Sequence, residues 1–110
     1  TINSTFSIFN GKVTFLVEAP TISGVIVAGI LIGDSGSSDE IDVELICGDP
    51  DTWQTNLFVA DPRDSKPEYG VFSSKEAVDN INDVHAYSIE MSPDAVHWSL
   101  DGHAVRTLKR

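Results

Sequence analysis

The 110-residue sequence predicts an all-β fold, an antiparallel sandwich or barrel, from three observations. Apolar residues recur with period two along most of the chain, which is the pattern of strands with one buried face. Tight-turn dipeptides such as Asn10-Gly11 and Asp101-Gly102 separate the short apolar runs. Apolar residues make up 41% of the chain, which is ordinary for a globular protein, so one domain over residues 1–110 is expected.

The strands follow from the apolar runs in order. The second run, Gly24 to Gly33, contains no polar side chain and is therefore predicted to be buried on both faces. The polar stretches 34–39 and 61–69 are predicted loops, and 73–84 has room for a short helical turn, although its periodicity is poor. The predicted strands are 12–19, 24–33, 40–48, 53–60, 87–91, 96–100 and 103–108.

The composition excludes several classes of function. A formal charge of −10 disfavours nucleic acid and anionic membranes, whereas a neutral polysaccharide is compatible with it. The longest apolar run is about a dozen residues, too short for a membrane-spanning helix. Cys47 is the only cysteine, so no intrachain disulfide forms, and its parity predicts a buried thiol. The histidines and Cys47 lack ligand spacing, so neither a metal nor a cofactor is expected. Asn3 begins a glycosylation sequon, whose use is left open.

The most informative segment is the strand that carries Glu40, Asp42 and Glu44. Residues two apart share a face, so the three carboxylates form one row and the aliphatic residues between them face a core. One alternative is a solvated surface, but a row of like charges destabilises a strand. Another is a calcium loop from Asp34, which lacks the glycine and glutamate that such a loop requires. A catalytic role is therefore preferred.

The reaction that suits such a row is retaining glycoside cleavage. It needs a nucleophile and an acid/base whose carboxyl groups lie about 5–5.5 Å apart. Two long glutamates at the ends of the row can lean together, and the aspartate between them can tune both. Like charges this close raise at least one pKa, as a general acid requires.

The segment Glu40 to Glu44 resembles the E-x-D-x-E signature of the family-16 glycoside hydrolases, in the unbulged form of lichenases, xyloglucan transglycosylases and fungal chitin–glucan transglycosylases. The resemblance runs from about Ser4 to Arg110 and is strongest to secreted fungal members that act on wall glucans. It implies a jelly-roll sandwich of the concanavalin-A-like type and a secreted or cell-wall location. The other matching segments are Gly11-Lys12-Val13, Trp53-Gln54-Thr55-Asn56, His85 to Glu90 and Val96 to Gly102.

The resemblance also implies a role for each site residue. Glu40 would be the nucleophile, Glu44 the acid/base and Asp42 the assisting carboxylate between them. Gln54 and Asn56 would hydrogen-bond sugar hydroxyls. The remaining candidates are His85, placed near the acid/base end of the cleft, and Trp98, which could stack on a sugar ring and is preferred to Trp53 for that role. Two alternatives stay open: a tryptophan on a sandwich strand is more often a core residue, and a lone histidine is more often a structural surface residue.

The sequence departs from the family pattern in three places. Met91 stands where the family has a tryptophan of the cleft wall, and Cys47 stands where related fungal sequences have glycine. The matched segments also account for only part of the family domain, so exposed apolar faces and strand edges are expected. A homodimer, a companion fragment or a rearranged fold would cover them.

Three functions remain open. The first is a glycoside hydrolase or transglycosylase acting on β-glucan. The second is a truncated, non-catalytic protein that binds glycan as a lectin does. The third is a fragment whose function belongs to a longer enzyme.

Overall fold

The computed structural model describes residues 1–33, 39–60 and 69–109, which form eight strands and no helix. Within those ranges nothing helical is long and apolar enough to cross a membrane. The strands are β1 (Gly11–Val17), β2 (Ile26–Ile32), β3 (Glu40–Ile46), β4 (Thr52–Ala60), β5 (Tyr69–Ala77), β6 (His85–Ser92), β7 (Ala95–Leu100) and β8 (His103–Lys109).

The strands form two antiparallel four-stranded sheets. One has the order β2-β3-β4-β5 and is called the front sheet; the other has the order β1-β6-β7-β8 and is called the back sheet. Their inner faces enclose the core, in which Trp53, Tyr87 and Trp98 are fully buried. The Trp53 and Tyr87 rings meet edge to face at 5.1 Å between centroids, and this contact joins the two sheets. The prediction of an antiparallel sandwich is therefore confirmed.

A glycine sets the spacing between β1 and β2. The ring of Phe15 on β1 lies over Gly29 on β2, and a Cβ at Gly29 would be 2.8 Å from three ring carbons. The close approach of the two strands therefore depends on the missing side chain.

Two predictions of local structure are wrong. The stretch 73–84 holds no helical turn, because β5 continues to Ala77 as the partner of β4. The β2 strand is not buried on both faces: Ile26, Ile30 and Ile32 on its outer face are 57%, 43% and 70% exposed. An apolar composition therefore predicted the strand but not the burial of its second face. Cys47 is buried, as predicted.

The exposed isoleucines lie at the edge of the front sheet, because β2 has only β3 as a neighbour among the described strands. The expectation of exposed apolar surface is met there. Its cover by a second copy or companion fragment stays a prediction. The predicted loop 61–69 lies outside the described residues except for Tyr69, which begins β5, and 34–38 of the other predicted loop also lie outside them.

Candidate active site

The three carboxylates lie on β3, a central strand of the front sheet, and share its outer face. Between them Val43 points into the sandwich and is fully buried. The alternation predicted from the sequence is thus present, and it places the acidic row on the surface of the sheet that faces away from the core.

Asn56 is the cross-strand partner of Asp42 and connects two of the carboxylates. Its Nδ2 donates to Oδ1 of Asp42 at 2.6 Å and to Oε2 of Glu44 at 3.2 Å. Asn56 is only 3% exposed, so its donor group is committed to the protein. The structure therefore commits the amide N–H group of Asn56 to the carboxylates, and a bond between Asn56 and a sugar hydroxyl stays a prediction.

The environment of Asp42 changes its acidity. Burial raises the pKa of Asp42 to about 6, because desolvation penalises the charged carboxylate. The bond from Asn56 opposes this change, whereas the charge of Glu44 and a hydrogen bond with Glu40 add to the rise in pKa. The middle carboxyl of the row consequently takes up a proton close to neutral pH, and in its protonated form it can donate a hydrogen bond to Glu40.

Trp98 lies behind the site rather than in it. Its ring is fully buried between the sheets, and its Nε1 donates to the main-chain oxygen of Asp42 at 3.1 Å. The prediction that Trp98 stacks on a sugar is wrong, because no ring face reaches the surface. Trp53 is also fully buried in the core.

His85 is in the back sheet, at the start of β6, and does not meet the carboxylates. It has the same parity as the buried Tyr87, so it points toward the inside of the sandwich, on the other side of the front sheet from the acidic row. Its Nδ1 lies 2.6 Å from Oδ2 of Asp101, and its Nε2 lies 3.1 Å from the Asn80 carbonyl oxygen. Both ring nitrogens are thus occupied by protein partners, and the expected place at the acid/base end of the cleft is wrong.

Gln54 is on the outer face of β4 and is the cross-strand partner of Glu44. It is half-buried, and its other neighbour across the sheet is Lys75 of β5. Lys75 in turn pairs with Asp49 at 2.9 Å, which lowers the pKa of Asp49. Gln54 is therefore placed to meet a ligand that lies over the acidic row.

Sequence reasoning missed one residue of this face, Phe58. It has the parity of Gln54 and Asn56 and is the cross-strand partner of Glu40, so its half-buried ring flanks that end of the row. The signal was present in the alternation of positions 54, 56 and 58. The outer face thus has an aromatic group beside Glu40 and polar groups beside Glu44. In the described part of the chain, no three His, Cys, Asp or Glu side chains are arranged to hold a metal ion.

A β-sandwich with a glutamate–aspartate–glutamate row on its outer face matches the family model of glycosyl hydrolases family 16 over residues 1–110. The chain belongs to that family. It is 39% identical over 109 residues to a Crh-like protein of Arthroderma benhamiae, covering 99% of this chain and 28% of that protein. It is 35% identical over 103 residues to Crh-like protein 2 of Aspergillus fumigatus, covering 94% and 22%.

Solved structures of similar fold support the same family. The Crh5 transglycosylase in complex with NAG superposes with a TM-score of 0.78 at 32% identity, covering 94% of this chain and 41% of that one. The laminarinase catalytic domain of Thermotoga maritima has a TM-score of 0.77 at 24% identity and shares the fold. The chain thus spans less than half of these two solved chains, 41% and 45%, and 22% to 28% of the two Crh-like relatives.

Proposed function

We propose that this protein is a retaining glycoside hydrolase or transglycosylase that acts on β-glucan-type polysaccharide. The observation that carries the proposal is the row itself: Glu40, Asp42 and Glu44 share the outer face of β3, and Nδ2 of the buried Asn56 donates to both Asp42 and Glu44. Two long side chains at the ends of such a row can approach a glycosidic bond from both sides of Asp42, as a nucleophile and an acid/base must.

The proposed reaction has two steps. In the first, a carboxylate oxygen of Glu40 attacks the anomeric carbon, and Glu44 transfers its proton to the glycosidic oxygen that leaves. In the second, Glu44 takes a proton from water or from a sugar hydroxyl. The oxygen so activated attacks the anomeric carbon and releases Glu40, and net retention follows from the two inversions.

Asp42 assists this reaction without bonding to the sugar. Protonated Asp42 donates to Glu40 and keeps the nucleophile oriented and ionised. Gln54 would bind sugar hydroxyls near Glu44, and the ring of Phe58 would pack on a sugar near Glu40. A neutral polysaccharide suits the net charge of −10, and the likeness to fungal Crh-like proteins supports a secreted or cell-wall location.

An added nucleophile, azide, distinguishes the roles of the two glutamates. With an activated β-glucoside, Glu40→Ala plus azide is expected to give the α-glycosyl azide, because azide replaces the missing nucleophile directly. Glu44→Ala plus azide is expected to give the β-glycosyl azide, because azide attacks the covalent intermediate. Without azide, Glu40→Gln should lower turnover of β-1,3 and β-1,3/1,4 glucan by about 10³-fold or more.

Glu90→Gln is the matched control, since Glu90 is an exposed glutamate on the outer face of the back sheet. It should retain wild-type turnover of glucan and transfer to labelled chitin oligosaccharide. Wild-type protein that binds these glycans in a pull-down without any turnover would refute the enzyme and support the lectin-like function.

A further inference from the structure

Arg106 crosses the sandwich from the edge of the back sheet to the front sheet. It lies on β8, and its Nη1 donates to both the main-chain oxygen and Oγ1 of Thr55, each at 2.7 Å. Its Nη2 donates to the main-chain oxygen of Phe72 at 3.1 Å. One guanidinium group therefore binds the backbones of β4 and β5 at once.

The same guanidinium supports Trp98. Its central carbon lies 4.9 Å from the centroid of the Trp98 ring, within the range of a cation–π contact. Trp98 then donates its indole N–H to the main-chain oxygen of Asp42 on β3. Burial lowers the pKa of Arg106, and the charge of Glu76 opposes that change. The guanidinium stays charged and keeps its planar fork of donors.

The hydrogen bonds from Trp98 and Arg106 end on the main chains of Asp42 and Thr55, on the inner side of the sheet that carries the acidic row. Asp42 carries the middle carboxylate, and Thr55 directly precedes Asn56, which bonds that carboxylate. The main-chain carbonyl groups of Asp42 and Thr55 each accept a hydrogen bond from a side chain of the back sheet. The angle at which the Asp42 and Asn56 side chains leave their strands depends on the local backbone, which these donors hold from behind.

We propose that Arg106 and Trp98 are positioning residues of the carboxylate site, and that they fix the Asp42–Asn56 pair by holding the backbones of β3 and β4 through the core. The effect on catalysis rests on the proposed function. The effect on the geometry of the pair does not, so it can be measured in protein that shows no turnover.

Two substitutions remove the support with little loss of packing. Trp98→Phe keeps a buried aromatic ring under Arg106 but removes the N–H that bonds Asp42. Arg106→Lys keeps the charge but loses the fork that binds Thr55 and Phe72 together. Thr107→Val is the matched control on β8, because it removes the bond to His97 on the outer face of the back sheet, away from the site.

Nuclear magnetic resonance supplies a readout that a purely structural role would not move. The two tryptophans give two indole N–H signals: Trp98 is hydrogen-bonded, and Trp53 has no partner for its buried Nε1 among the described residues. Arg106→Lys should speed hydrogen exchange at Trp98 more than at Trp53. Both variants should shift the side-chain amide signals of Asn56 and the pH midpoint at which those signals follow the titration of Asp42.

The kinetic expectation is a fall in kcat of about 10- to 100-fold with little change in KM, since misplacing a catalytic group by a fraction of an ångström weakens the transition state more than ground-state binding. The double variant should lose less than the product of the two single effects, because both residues act through one chain of contacts.

The proposal is overturned if both variants are folded by circular dichroism and leave the Asn56 signals and their titration as in Thr107→Val. It is also overturned if kcat falls only in proportion to the unfolded fraction. A wild-type protein without turnover would refute the proposed function alone, and the Asn56 signals would still decide whether Arg106 and Trp98 position the pair.

Discussion

Replacing Asp42 by asparagine is expected to stabilise the protein at neutral pH. The substitution keeps the shape of the side chain and removes its charge. Asp42 is 1% exposed, and burial and its glutamate neighbours raise its pKa from 3.8 to about 6. The folded protein therefore holds this carboxylate at pH 7 in an environment that favours the neutral form. The amide of Asp42→Asn can accept from Asn56 and donate to Glu40 or Glu44, so no buried group is left unpaired.

The magnitude follows from the difference in proton binding. Between about pH 4 and pH 6 the folded state binds more protons than the unfolded chain, so the free energy of unfolding falls as the pH rises. A pKa rise from 3.8 to about 6 lowers the free energy of unfolding by about 3 kcal/mol at pH 7, but by only about 0.5 kcal/mol at pH 4, where folded Asp42 is already neutral. Asp42→Asn should recover about 2–3 kcal/mol at pH 7.

The assay is urea unfolding of the wild type and Asp42→Asn at pH 4 and pH 7. At pH 7 the midpoint of the variant should lie about 1 M or more above that of the wild type, and at pH 4 the gap should shrink to about a fifth of that value. Glu90→Gln serves again as the exposed control and should change neither midpoint. A gain of equal size at both pH values, or no gain at pH 7, would refute the assignment of this instability to an ionised Asp42.

Three further outcomes are expected. The same Asp42→Asn protein should be less active on glucan, because the substitution that removes the destabilising charge also removes the carboxyl group that assists Glu40; equal turnover by the two proteins would contradict this. Gly29→Ala should lower the free energy of unfolding by about 1–3 kcal/mol, because its new methyl group meets the Phe15 ring. Adding Phe15→Leu should restore much of the lost stability. An unchanged unfolding midpoint for Gly29→Ala would show that the ring moves freely. Phe58→Ala should raise KM for glucan about three- to ten-fold, because it removes a ring that stacks on the sugar. The control Phe9→Ala, in the exposed N-terminal segment, should leave KM unchanged. A changed kcat at constant KM would exclude a binding role for Phe58.

Much of the candidate site follows from local rules. The alternation of residues 40–46 determines which side chains share a face, so the acidic row and the buried Val43 and Leu45 were predictable. The same rule of alternation contradicts the sugar-binding role that the family motif implies for Trp98. Val96, Trp98 and Leu100 alternate with His97 and Ser99, and this apolar parity places Trp98 inside the sandwich. A motif identifies a residue as characteristic of a family, but it does not state which face of the sheet the residue occupies.

The errors in the fold have a common physical cause. β2 and β5 are the outer strands of the front sheet in the described part of the chain, and each has one neighbour there. The end of β5 is polar, a composition with room for a short helical turn, and β2 is apolar on a face that the described residues leave exposed. Pairing with β4 decides the conformation of β5, and packing over the outer face of β2 would decide the burial of that face; the local sequence specifies neither.

The sequence by itself determined the all-β class, the row of Glu40, Asp42 and Glu44 and the family, because period-two alternation and short motifs are local properties of the chain. Only the tertiary structure decided which groups touch that row. Asn56 donates a hydrogen bond to Asp42 on the neighbouring strand, and Arg106 donates to Thr55 on the opposite sheet. Such contacts join residues far apart in sequence. They depend on how the strands pair and how the sheets pack, which no local pattern specifies.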